Sequence, residues 1–177
     1  MEPALGTWEA IDSVRVVRTF ADRPIEPAAL ERILNAGRRA GSSKNLQRWA
    51  FVVCGDREHL RELSTVGPYA GHLAGATVAI ALVTPDPHAE GAPLSIEFDI
   101  GRAAQNMVLA AWELGIGSVP ATVYDQARAA ELLGLPDGMH CEYVLSFGYP
   151  ADEAVLTAPK RAGGRRPLAQ LVHQERW

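Results

Sequence analysis

DIGRAAQNMVLAAWELGIGS, from Asp99 to Ser118, is the stretch that decides the architecture. Its apolar residues recur at helical spacing and extend upstream, so Leu94 to Leu114 reads as one long helix closed by Gly115 at its C-terminal cap. In its second half Ala103, Ala104, Met107, Val108, Leu109, Ala111, Trp112 and Leu114 cover nearly the whole circumference. A helix that is apolar all round must be buried all round, and 177 residues make one domain with few layers to do the burying. Part of this helix therefore calls for a second copy of the chain, and a homodimer is expected.

Outward from that helix, helix and strand signals alternate. Upstream, Thr7 can cap a first helix running through Val17, and Pro27 opens a second that ends near Ala40. Trp49 to Cys54 reads as a buried strand, and Asp56 then caps a helix with Leu60, Leu63 and Val66 on one face. GPYAGHLAG is loop or irregular helix, TVAIALV from Thr77 to Val83 is a second buried strand, and PDPHAEGAP is a loop broken by proline and glycine. Downstream, SVPATVY is a short strand, Asp125 caps a helix through Leu133, and CEYVLSFGY is a final strand ended by Pro150. The tail, residues 151–177, carries Lys160, Arg161, Arg165 and Arg166 together with apolar residues and a terminal Trp177, so it is expected to pack on the partner subunit. No internal repeat or linker divides the chain.

Hydrophobic residues at 47% and charged residues at 21% describe a globular chain with a real core. The net charge of -4, with dispersed basic residues, points away from nucleic acid and from anionic membrane surfaces. No segment reaches the roughly 18 uninterrupted apolar residues of a spanning helix, and MEPALGTWEA lacks the pattern of a signal peptide, so a cytoplasmic protein is expected. Cys54 and Cys141 each lie inside a strand-like run and read as buried small hydrophobes. The histidines at positions 59, 72, 88, 140 and 173 never fall at ligand spacing, so no metal site is expected. LGIGSVP has two glycines spaced as in a dinucleotide fingerprint, but they follow a helix and precede a strand, the reverse of the order that aims amides at a pyrophosphate. With no nucleophile elbow and no P-loop, redox chemistry here would need a cofactor to supply the reactivity.

Two polar sets remain. VRVVRTF, Val14 to Phe20, carries Arg15 and Arg18, which can also be read as surface arginines at a helix C-terminus. AGSSKNLQRW, Ala40 to Trp49, places Ser42, Ser43, Asn45 and Gln47 directly before a buried strand; a capped turn explains the serines and the asparagine, but not Lys44 and Gln47.

Together with LLGLP at Leu132 to Pro136 and FGYP at Phe147 to Pro150, these motifs resemble, in order and over most of the chain, the nitroreductase family of flavin enzymes. The resemblance implies an α+β fold with a central, mostly antiparallel sheet flanked by helices, in an intertwined homodimer holding FMN at the subunit interface. It assigns Ser42, Ser43, Asn45 and Gln47 to the flavin pocket of the opposite subunit, and Arg15, Val16 and Arg18 to the phosphate, ribityl chain or pyrimidine edge. Pro120, Ala121 and Thr122 match the strand that passes the ring, His72 a position that is often basic, and Arg165 with Arg166 the basic phosphate contact of the tail; Lys160 is a further substitute there. Val14 and Val16 stand where the family pattern has arginine and serine, Gly41 and Arg48 where it has prolines, and Gly163 in a place often taken by lysine, which implies altered phosphate contacts and a less rigid loop. The implied activity is an NADH- or NADPH-dependent ping-pong reduction of a small electron-poor acceptor such as a nitroaromatic, quinone or enone. A flavin-sequestering protein and an oxygen-dependent flavin-cleaving enzyme are the alternatives.

Overall fold

The computed structural model describes residues 5–159 and 164–177. VAIALVTP forms β2 (Val78–Pro85), buried on both faces. Its alternate residues serve two cores: Ala79, Ala81 and Val83 face one, and Val78, Ile80 and Leu82 face the other. Beside it lie β1 (Ala50–Cys54) and β4 (Met139–Gly148), with β3 (Gly117–Thr122) beyond β4. The order is β1-β2-β4-β3, every pair antiparallel.

Against one face pack α2 (Pro27–Arg38) and α4 (Ser95–Glu113), through Ile33, Ile100, Ala103, Met107 and Ala111. Against the other pack α3 (Arg57–Leu63) and α5 (Gln126–Leu133), through Leu60, Leu63 and Ala129. The three layers are the α+β arrangement expected. Asp56 and Asp125 cap α3 and α5 as read, each accepting backbone N–H bonds in the first turn, and Gly115, with φ +72°, follows the end of α4.

β4 carries one extra residue relative to β2: Leu82 faces Tyr143 and Val83 faces Cys141, so Glu142 is left unmatched. This bulge lets Cys141 and Val144, three positions apart, enter the same core.

The first helix is shorter than its sequence spacing suggests. α1 spans Thr7–Ser13, its N-cap is Gly6, and the chain then runs extended past the sheet. Val17 donates its N–H to the Ser118 carbonyl at 3.0 Å, Val16 bridges Ser118 in parallel, and Phe20 bridges Pro150. Two glycines admit this close passage: a Cβ on Gly117 would lie 2.4 Å from Val17 Cγ2, and one on Gly148 would lie 2.8 Å from Phe20. Arg15 and Arg18 thus stand on an extended segment along β3 and not on a helix end. No helix among the described residues is long and apolar enough to cross a membrane.

Candidate functional site

The extended segment lies along β3, and the irregular turn Ala70–Gly75 holds His72 where the Pro120 carbonyl and the charge of Arg18 both act on its ring. His72 Nδ1 lies 2.7 Å from the hydroxyl of Ser146, itself fully buried on β4. The Pro120 carbonyl acts on the same ring, but Nε2 is buried and nothing among the described residues meets hydrogen-bond geometry there. A buried ring nitrogen without a partner is rare and costly, and it marks a place where a polar atom is wanted. Burial holds the His72 pKa below its ordinary value; the Arg18 charge pushes the same way and the Pro120 carbonyl opposes it. The ring is therefore neutral at pH 7, so a position expected to be basic presents an uncharged donor or acceptor.

Arg18 is exposed and makes no hydrogen bond or ion pair among the described residues. Arg15 differs: its guanidinium donates to the carbonyls of Ser13 at 2.6 Å and Ala158 at 3.3 Å, tying the end of α1 to the start of the tail. Val16 is exposed at the bridge to Ser118, and along β3 Pro120 is exposed, Ala121 buried and Thr122 half-buried.

The second set, Ser42, Ser43, Asn45 and Gln47, lies in a separate loop between α2 and β1. Three non-glycine residues hold left-handed φ within four positions: Lys44 at 53°, Asn45 at 55° and Gln47 at 46°. Each costs on the order of 1–3 kcal/mol and persists only where its surroundings fix it. The bracing is visible. Ser42 Oγ accepts from the Gln47 N–H at 3.0 Å, Gln47 Nε2 donates to Asn45 Oδ1 at 3.2 Å, and Ser43 N–H donates at 2.8 Å to the Asp99 carboxylate, 5% exposed on α4. Polar bonds brace the loop where Gly41 and Arg48 stand in place of prolines. Gln47 orients Asn45, whose Nδ2 makes no hydrogen bond among the described residues.

Within one chain no hydrogen bond among the described residues joins this loop to Arg18 or His72. Two surface depressions, one lined by Gln47, Trp49 and Phe51 and the other by Gly67, Tyr124 and Asp125, leave out both of those residues. Arg165 and Arg166 are exposed, Arg165 donating to the adjacent Gly164 carbonyl, while Lys160, Arg161 and Gly163 lie outside the described residues.

Asp99 and Ser146 went unremarked in the sequence although each carries a signal: an acid on the apolar stripe of α4, and a hydroxyl inside the apolar run VLSFG. Both cysteines are buried as expected. Burial pushes the thiol of Cys54 up to about 11 and that of Cys141 up to about 12, so neither supplies a thiolate near neutral pH. The histidines hold a surprise: His88 and His140, far apart in sequence, meet at the carboxylate of Glu142.

A model of the Nitroreductase family matches residues 11–67 and 64–149. An Archaeoglobus fulgidus protein provisionally named NADH dehydrogenase/NAD(P)H nitroreductase is 36% identical over 169 residues, covering 92% of this chain and 94% of its own. A Vibrio harveyi protein named NADPH-flavin oxidoreductase is 29% identical over 185 residues, covering 97% of this chain and 75% of its own. Among solved structures, an FMN-dependent nitroreductase from Clostridium difficile superposes with a TM-score of 0.79 at 26% identity, covering 95% of this chain and 98% of that one.

Proposed function

Because this chain belongs to the nitroreductase family, we propose that it is an FMN-dependent oxidoreductase that draws electrons from NADH or NADPH and delivers them to a small electron-poor acceptor. The observation that supports the reading is the buried Nε2 of His72, without a hydrogen-bond partner among the described residues, on a ring that feels the exposed Arg18 cation and the Pro120 carbonyl of β3. Such a set fits FMN: an exposed guanidinium with no partner among the described residues suits an anion, and a buried ring nitrogen suits a heterocycle edge. When bound, FMN supplies hydride acceptance and electron storage, which explains why no triad or acid pair is needed.

The protein's own share is to bind, orient and tune. Arg18 holds a fixed positive charge near the dry wall, where it favours negative charge on a bound ligand. His72 stays neutral and offers Nε2, its ring orientation set by Ser146. The loop from Ser42 to Gln47 stands apart from that wall in its own subunit, and it offers Asn45 Nδ2 and the Ser42 hydroxyl proton for donation. Two chains facing each other complete the pocket, the loop of one opposite Arg18 and His72 of the other. The exposed tail, with Arg165 and Arg166, lies across the partner in that assembly.

The test is spectroscopic. The purified protein is expected to carry a flavin absorbance that NADH or NADPH bleaches and an added quinone restores. Bleaching that no organic acceptor reverses would favour storage, and loss of flavin with a new small aromatic product would favour self-cleavage. A colourless protein that refuses added FMN overturns the proposal.

A further inference from the structure

A second polar cluster lies where β2 ends and β4 begins, with Thr84 and His140 paired across the two strands. His88 sits on the loop that follows β2, and its backbone N–H donates to Asp86 Oδ1 at 2.8 Å. His140 and Glu142 flank the buried Cys141 on β4, Glu142 being the extra residue of the bulge. Both histidines turn Nε2 to the same oxygen, Glu142 Oε1, each at 2.8 Å. The two rings stand edge to face, centroids 5.7 Å apart.

We propose that His88, His140 and Glu142 bind a divalent transition-metal ion, Zn²⁺ in the first instance. The three donor atoms lie within 4.8 Å of one another. An ion held at about 2.0–2.2 Å from each needs its donors only slightly over 3 Å apart, so small side-chain rotations bring them onto it. Two imidazoles with one carboxylate form a borderline donor set that suits zinc, cobalt or nickel better than calcium or magnesium. His140 Nδ1 faces Asp86 Oδ1 at 3.9 Å, so with Nε2 on the metal the ring turns its remaining N–H toward a carboxylate. A small approach that closes this 3.9 Å gap to hydrogen-bond distance would fix the tautomer and strengthen the ligand. Without an ion, both ring nitrogens share one carboxylate oxygen; with it, both nitrogen lone pairs and the carboxylate turn to the metal. Three protein donors leave a position for water, and the ion ties the loop after β2 to β4, just ahead of α4.

This site lies apart from the redox reading and rests on none of it. Untagged full-length protein is stripped with EDTA, dialysed, and titrated with ZnCl₂ by calorimetry and with CoCl₂ by visible absorption. The expected result is one ion per chain, with the Co²⁺ bands of a four-coordinate nitrogen and oxygen site and slower proteolysis at residues 86–93. The His88→Ala/His140→Ala double variant loses this uptake, and Asp86→Asn weakens it about tenfold. His173→Ala serves as the control and binds as before. Absence of uptake, or uptake unchanged in the double variant once circular dichroism confirms its fold, overturns the proposal.

Discussion

Arg18 is the residue on which the proposed chemistry rests, because among the described residues it is exposed and makes no hydrogen bond or ion pair. Its neighbour in the sequence motif, Arg15, is spent on the carbonyls of Ser13 and Ala158, and removing it would loosen the α1 and tail junction. Arg18→Ala is expected to leave the fold intact, weaken FMN retention by about tenfold, and lower the reduction potential of the bound flavin. Equilibrium dialysis and a dye-linked redox titration measure the two effects; values equal to wild type would remove Arg18 from its role. The sign of the potential change follows from charge: reduction adds negative charge, and a cation beside it favours the reduced form. His72 was legible as a polar residue ahead of β2. That it is held neutral was not, because the burial and the Ser146 contact come from β4, remote in the chain.

At the scale of the element, the segment from Val14 to Phe20 is where the sequence misleads. Val14, Val16, Val17 and Phe20 fit a helix period about as well as a strand, and the choice is made by Gly117 and the Ser118 carbonyl, which lie far along the chain. Gly117→Ala tests this packing. A methyl group 2.4 Å from Val17 Cγ2 must push the segment off β3, costing about 1–3 kcal/mol in urea unfolding and loosening flavin binding at the same time. An alanine variant with wild-type stability and wild-type flavin content would show that the segment is not held there. The helices α3 and α5 were readable because their caps are local, as was the end of α4 at Gly115. The loop from Ser42 to Gln47 was readable as an unusually polar turn but not as braced, since Asp99, its anchor, is 56 residues from Ser43. The meeting of His88 and His140 was hidden for the same reason: the hairpin-like pairing of β2 with β4, and not spacing, brings them together.

For the whole molecule, the matter is what covers α4. In the single chain Phe98, on the first half of α4, remains 69% exposed and Leu94, just ahead of the helix, 94% exposed, near the polar loop that Asp99 anchors through Ser43. A second copy over this face, as proposed above, would account for both. Phe98→Glu places a charge on that face and is expected to give a folded monomer, seen by analytical ultracentrifugation, that no longer retains FMN. A variant that stays dimeric, or a wild-type protein that sediments as a monomer, would count against the shared pocket. The overall α+β reading was legible because the alternation of helix and strand signals is carried by neighbours in sequence, whereas the order β1-β2-β4-β3 is not. That order has a consequence for how the protein melts. β2 lends every other side chain to the helices above it and the rest to the helices below, so neither half can come apart while the other keeps its lining. Heating should therefore dissolve both layers in a single cooperative event, without a half-melted stage.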